Sequence, residues 1–229
     1  MEMNDNIAQY IEHTLLKPEA TETEIYKICQ EAREFNFTAV CIQPQYVSLC
    51  VEQLQGSGVE VATVVGFPLG ANTGAVKAFE ARRAFLDGAH DVDMVVNLGA
   101  LRAKQINKVY ADIKGVVEES NAFPDRQVKV IIETCLLTEE EKIVVCRTAV
   151  QAGAHYVKTS TGFAAGGATV DDVALMARVV EGRAKIKAAG GIKTLEQAKR
   201  FILAGADRIG TSNGIAIMTE NSYNEKKAP

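Results

Sequence analysis

Eight short runs rich in β-branched residues punctuate this chain, at residues 10–16, 39–43, 59–65, 92–96, 128–132, 156–158, 184–188 and 208–211. Successive runs begin roughly 30 residues apart, the span of a strand, a crossover helix and the return to the next parallel strand. Between them lie helical patterns. Ile25, Ile28, Cys29, Ala32 and Phe35 paint one apolar stripe at the i, i+3, i+4 rhythm of an amphipathic helix. Thr21 with Glu24, Thr138 with Glu141, Thr169 with Asp172 and Thr194 with Gln197 have the spacing of a capping box. Gly88, Gly153 and Gly205 mark helix ends. Strands such as Val128-Lys129-Val130-Ile131-Ile132 are nearly continuous in apolar character, which suits a parallel sheet covered on both faces.

Eight such units with no Pro/Ser/Gly-rich linker between them predict a single closed (β/α)8 barrel over residues 1–218, with a short N-terminal helix. The polar segment 219–229 lacks periodicity and reads as a mobile tail. An open doubly wound sheet is the alternative, but its first strand would lead into a Gly-x-Gly-x-x-Gly turn, and here it leads into His13-Thr14-Leu15-Leu16-Lys17-Pro18. The length, 229 residues, fits one such domain, and a net charge of −4 without a basic block offers nothing to a nucleic-acid backbone or an anionic membrane. No stretch has the length and apolarity of a membrane span or the make-up of a signal peptide, so a cytoplasmic location is expected. The five cysteines include no Cys-x-x-Cys pair, and His13, His90 and His155 lack metal-ligand spacing, so neither a disulfide framework nor a metal site is expected.

In a barrel of this kind the chemistry gathers at the C-terminal ends of the strands. Four side chains interrupt or end apolar runs there: Cys41, Asp93, Lys158 and Lys187. Strand alternation puts Lys158 on the same face as Tyr156, inside the barrel, where an ammonium is costly to bury. Burial together with a second cation pushes a lysine towards its neutral amine, and Lys187 on the next strand is the natural second cation. A free amine attacks an aldehyde or ketone to form a Schiff base, and a carboxylate such as Asp93 can pass the protons. Lysine, lysine and aspartate without a cofactor suggest a metal-free aldolase. The bland alternative is that the lysines lie with their stems on apolar surface and their heads in water, and Asp91 rivals Asp93. Cys41 reads as a small buried hydrophobe that lines the pocket. The Gly-rich segments 161–167, 190–191 and 210–214 follow the last three strands, where such barrels cradle phosphate, and a helix opening at Ser212-Asn213 would add its positive end. Lys193 is placed to add a point charge.

Taken in order, these strand ends are specific. His13-Thr14-Leu15-Leu16-Lys17-Pro18, Ala39-Val40-Cys41-Ile42, Val65-Gly66-Phe67-Pro68-Leu69-Gly70, Val92-Asp93-Met94-Val95, Val130-Ile131-Ile132-Glu133-Thr134, Val157-Lys158-Thr159-Ser160-Thr161-Gly162-Phe163 and Lys187-Ala188-Ala189-Gly190-Gly191 resemble the successive motifs of the deoxyribose-phosphate aldolase family, over residues 11–214. That resemblance implies a TIM barrel and the reversible cleavage of 2-deoxy-D-ribose 5-phosphate to D-glyceraldehyde 3-phosphate and acetaldehyde without a cofactor. It implies that Lys158 forms the Schiff base while Asp93 and Lys187 handle protons. Thr161, Gly190, Gly191 and Ser212 would lie along the phosphate end, and Thr14 and Cys41 near the aldehyde. The chain departs from the family pattern at Glu12 (commonly Asp), Lys193 (often Arg), Asn213 (usually small) and in the residues after Tyr223. Another Schiff-base lyase for a different phosphorylated sugar or keto acid, and a silent phosphosugar-binding barrel, remain the competing readings. A homo-oligomer, dimer or tetramer, stays open, since an apolar helix face looks alike against the barrel and against a second copy.

Overall fold

A computed structural model describes residues 6–225. The expected short N-terminal helix is one turn of 3-10 helix at Ile7–Tyr10, after which strands and helices alternate. The first half contains β1 (Ile11–Leu15), α1 (Glu22–Phe35), β2 (Ala39–Ile42), α2 (Val47–Leu54), β3 (Glu60–Val65), α3 (Gly74–Leu86) and β4 (Asp91–Val95). Two helices follow β4, the short α4 (Leu98–Arg102) and α5 (Ile106–Ser120). The second half contains β5 (Gln127–Ile131), α6 (Glu139–Ala152), β6 (Tyr156–Lys158), α7 (Val170–Val180), β7 (Lys185–Ala189), α8 (Leu195–Leu203), β8 (Arg208–Thr211) and α9 (Gly214–Glu225). All eight strands pair in chain order and in parallel, and β8 closes on β1, so the sheet is a barrel and not an open one.

Local chemistry sets the helix boundaries. Thr21 and Glu24, Thr138 and Glu141, and Thr194 and Gln197 form reciprocal capping boxes. The fourth expected box is half made: Thr169 accepts from Asp172 N, but the Asp172 carboxylate takes Lys142 Nζ at 2.5 Å instead of reaching back. Gly153 ends α6 at a φ of 91°, a left-handed conformation that a side chain would resist. The chain end also differs from expectation. Residues 219–225, expected without periodicity, continue α9, with Asn221 buried and Glu220 accepting from Leu195 N at the start of α8. Helical periodicity was masked there because few of its residues are apolar. The remaining tail, 226–229, lies outside the described residues.

Outward-facing strand residues such as Val40, Ile42, Val92, Val130, Val157, Ile186 and Ile209 are buried beneath the helices. A buried ion pair, Lys77 Nζ to Asp112 Oδ2 at 2.6 Å, joins α3 to α5, and Lys77 also donates to Val95 O at the end of β4. Inside the barrel the filling divides. Leu16, Cys41, Ala62 and Val64 make a small apolar cluster on the side of β1 to β3. Much of the remaining interior is charged: Glu12, Asp91, Asp93, Lys129, Lys158 and Lys187 are all buried, alongside Ile131 and Tyr156. Among the described residues no helix is long and apolar enough to cross a membrane.

Candidate active site

A barrel interior is ordinarily filled by branched apolar side chains, so this ionic cluster calls for a function. Strand register assembles it. Asp93 pairs with Lys129 across β4 and β5, and Lys158 pairs with Lys187 across β6 and β7. Asp93 Oδ2 accepts from Lys158 Nζ and from Lys187 Nζ, each at 2.7 Å. Lys187 also donates to Glu12 Oε2, and Lys129 Nζ lies 3.4 Å from Glu12 Oε1 and 3.5 Å from Asp93 Oδ1. The expectation of two lysines pressing on one another therefore needs correction, because a carboxylate sits between them.

Asp91, the rival to Asp93, points the other way. Its oxygens accept from Lys129 and pair with His90 Nδ1 at 2.8 Å, at the barrel end remote from the phosphate-type loops, and neither reaches Lys158. Burial alone would raise the Asp93 carboxyl, but Lys158, Lys187 and Lys129 outweigh it and hold the group far below the usual carboxylate range. Burial likewise opposes the charge on Lys187, yet Asp93 and Glu12 keep that ammonium above the ordinary lysine range. Lys187 is thus held as the cation of the site, and Asp93 is held as an anion by the charges that surround it.

A cavity of about 380 Å3 opens above this cluster, with Lys158 in its wall. Thr14 comes from the end of β1, Thr161 and Phe163 from the loop after β6, Gly190 and Gly191 from the loop after β7, and Ser212 and Asn213 from the loop after β8. Gly190 has a φ of 91°, and a Cβ on it would come within 2.9 Å of Gly167 Cα, so the two loops touch backbone to backbone. Helix α9 starts at Gly214, directly after Asn213 in the cavity wall, so its first turn begins beside the cavity. Backbone donors and the cationic side chains of Lys17 and Lys193 make this end fit for an anion. Phe67 and Phe163 meet edge to face at 5.3 Å between ring centres.

Of the side chains picked from sequence, Lys158, Thr14, Thr161, Gly190, Gly191 and Ser212 share the cavity wall, while Asp93 and Lys187 lie directly beneath it. Cys41 is not on that wall. It is fully buried beneath the wall, between the apolar cluster of Leu16, Ala62 and Val64 and the Glu12 and Asp93 carboxylates within 4.8 Å of its sulfur, and burial pushes its thiol up. Sequence reasoning missed Lys17 on the rim and Lys129 below Asp93. It also passed over Glu133, which is buried in a left-handed conformation (φ 53°) and accepts from both Thr161 N, at 3.2 Å, and Thr161 Oγ1. Glu133 holds the loop that carries Thr161 over the cavity. His90 converges with Glu60 and Asp91 so that their donor atoms lie within 4.8 Å of one another, a meeting that spacing along the chain does not reveal.

Residues 7–220 match the model of the DeoC/LacD family of aldolases. The deoxyribose-phosphate aldolase of Lysinibacillus sphaericus is 55% identical over 216 residues, covering 94% of this chain and 96% of the relative. That of Carboxydothermus hydrogenoformans is 54% identical over 219 residues, covering 95% and 96% respectively. Among solved structures, the tetrameric deoxyribose phosphate aldolase of Aeropyrum pernix superposes with a TM-score of 0.88 at 30% identity, covering 97% of this chain and 92% of that one.

Proposed function

This chain belongs to the DeoC/LacD family of aldolases, and from that membership we propose that it reversibly cleaves 2-deoxy-D-ribose 5-phosphate to D-glyceraldehyde 3-phosphate and acetaldehyde through a Schiff base on Lys158. It is a lyase, and its relatives named deoxyribose-phosphate aldolase cover nearly its whole length. The observation that carries the mechanism is the single oxygen, Asp93 Oδ2, set 2.7 Å from both lysine nitrogens under the cavity.

Lys158 passes a proton to Asp93 and its free amine adds to C1 of the open-chain sugar. The carbinolamine hydroxyl then leaves as water with that proton, giving an iminium. Asp93, through a water, takes the proton of the C3 hydroxyl, and the C2–C3 electrons move into the iminium. Glyceraldehyde 3-phosphate departs and an acetaldehyde enamine stays on Lys158. Protonation at C2 and hydrolysis return the amine. Lys158 is the strongest of the charges that hold Asp93 down, so Asp93 accepts the lysine proton only as Lys158 itself becomes neutral; the iminium restores that charge and is neutralised again by the C2–C3 electrons as the C3 proton leaves through the water. Lys187 stays protonated, fixing Asp93 from the side. Thr161, Gly190, Gly191, Ser212 and Lys193 receive the phosphate, and Thr14 faces the aldehyde end of the sugar.

The chemistry asks for neither a metal nor an organic cofactor. The same reading carries a cytoplasmic homo-oligomer. Its support is the tetrameric relative and the exposed apolar residues Val76, Phe79 and Leu86 on α3. Incubation with acetaldehyde and borohydride, followed by peptide mapping, tests the core of the proposal. A two-carbon adduct is expected on Lys158 and is lost in Lys158→Ala, and an unlabelled Lys158 in the active wild type refutes the mechanism. Deoxyribose 5-phosphate assayed against ribose 5-phosphate and phosphorylated keto acids decides the substrate.

A further inference from the structure

Lys129 takes no part in the steps above, yet it is fully enclosed in the barrel, with no exposed surface. It stands on β5 directly beside Asp93 on β4. Three carboxylates surround it: Asp91, which it bonds, Glu12 at 3.4 Å and Asp93 at 3.5 Å. The two oxygens nearest it on the active-site side, Glu12 Oε1 and Asp93 Oδ1, have no hydrogen-bond partner, while their sister oxygens, Glu12 Oε2 and Asp93 Oδ2, accept from Lys187. The Asp93 carboxylate is therefore held at both ends: its Oδ2 by hydrogen bonds from above, its Oδ1 by the charge of Lys129 from below. Below Lys129 the chain of alternating charge runs through Asp91 to His90, whose ring is partly exposed at the far end of the barrel.

We infer that Lys129 is a positioning residue for the aldol reaction, anchored from the barrel floor by Asp91 and fixing the rotation of Asp93 so that Oδ2 faces Lys158 and Lys187. A carboxylate free to turn would offer its two oxygens unequally to the two lysines, and the proton path of Lys158 runs through that one oxygen. Lys129 also lies 5.4 Å from the centre of the Tyr156 ring, which closes its remaining side and leaves it no alternative place to go. A purely structural role, in which Lys129 does no more than neutralise Asp91, makes a different prediction, and the two can be told apart.

The inference rests on the Schiff-base reading, so the experiment counts competent sites first. Wild type, Lys129→Met and the double variant Asp91→Asn/Lys129→Met are each trapped with acetaldehyde and borohydride, and kcat is expressed per Lys158 that can be trapped. Partial unfolding then lowers the number of sites and not the turnover of each. Lys129→Met is expected to lose about tenfold or more in kcat per site, with KM for deoxyribose 5-phosphate within about twofold, because the cavity wall is untouched. The double variant removes the stranded Asp91 charge and so repairs the floor, but it is expected to stay as slow. Return of the double variant to within about threefold of wild type, or a single variant that is never slower than that, overturns the inference. Failure of wild type to be trapped at Lys158 overturns the underlying reading instead.

Discussion

Replacing Lys187 by methionine keeps most of the side chain's volume and deletes one charge from the buried interior of the barrel. Lys187 is fully buried and bridges Asp93 Oδ2, at 2.7 Å, and Glu12 Oε2. Without it, two buried carboxylates lose their shared cation. Removing one partner of a buried ion pair costs about 3–5 kcal/mol, because the other partner is left uncompensated. In a chain of 229 residues each kcal/mol moves the melting temperature by about 2–4 °C, so Lys187→Met is expected to melt about 6–20 °C below wild type in a calorimetric scan. Turnover, followed as glyceraldehyde 3-phosphate release in a coupled assay, is expected to fall about 10²–10⁴-fold, the usual worth of a placed acid–base group. A second substitution, Glu12→Gln, removes the stranded anion, so the double variant should regain much of the melting temperature but little of the turnover. A Met variant that melts within about 2 °C of wild type and turns over within about threefold would refute the reasoning, for then Lys187 would not be the common partner of the two carboxylates.

Acid sensitivity follows from Asp91. His90 and Lys129 overcome its burial and hold its carboxyl at about 2 against an ordinary 3.8, a difference of about 2 kcal/mol. The shift is downward, so this stabilisation is complete above about pH 4 and drains away as pH falls to about 2; Asp91→Asn should flatten the urea-melting profile across that window, and an unchanged slope would contradict the assignment. Lys193, exposed on the cavity rim, is expected to act as a point charge on phosphate. Lys193→Ala should raise KM about two- to fivefold and leave kcat nearly alone, with the difference shrinking in high salt, and an effect confined to kcat would remove it from the phosphate end.

Much of this was legible in the sequence because the signals are local. Strand runs, caps and the interruption of apolar runs by Asp93, Lys158 and Lys187 all lie within a few residues of one another. What escaped notice depends on register between strands. Lys129 sits in Val128-Lys129-Val130-Ile131, which reads as a buried parallel strand with one stray polar residue, and only the pairing of β5 with β4 reveals that this residue meets Asp93. The placing of Asp91 against Asp93 is likewise a matter of height along the barrel, which alternation cannot convey: both face inward, two residues apart, and they serve opposite ends. Glu133 was hidden for another reason, since a left-handed backbone at a non-glycine residue leaves no mark on composition. Cys41 was assigned to the pocket wall by its place at a strand end, but in this barrel the side of β1 to β3 is filled to the top by small apolar side chains.

The contact between the two glycine loops has a practical meaning for anyone redesigning this catalyst. Gly167 and Gly190 meet with no space for even a methyl group, since a Cβ on Gly167 would lie 2.2 Å from Gly190 O, and a Cβ on Gly210 would press on Lys187. Beneath them Lys158 and Lys187 share the Asp93 carboxylate, and Ile131 and Tyr156 fill the neighbouring inward positions. Room for a bulkier substrate therefore cannot be carved out of the floor or the phosphate end without dismantling the machinery. The freedom lies at the rim, where the half-exposed Phe163 borders the opening and carries none of the paired charge, so a library aimed at new acceptors belongs there.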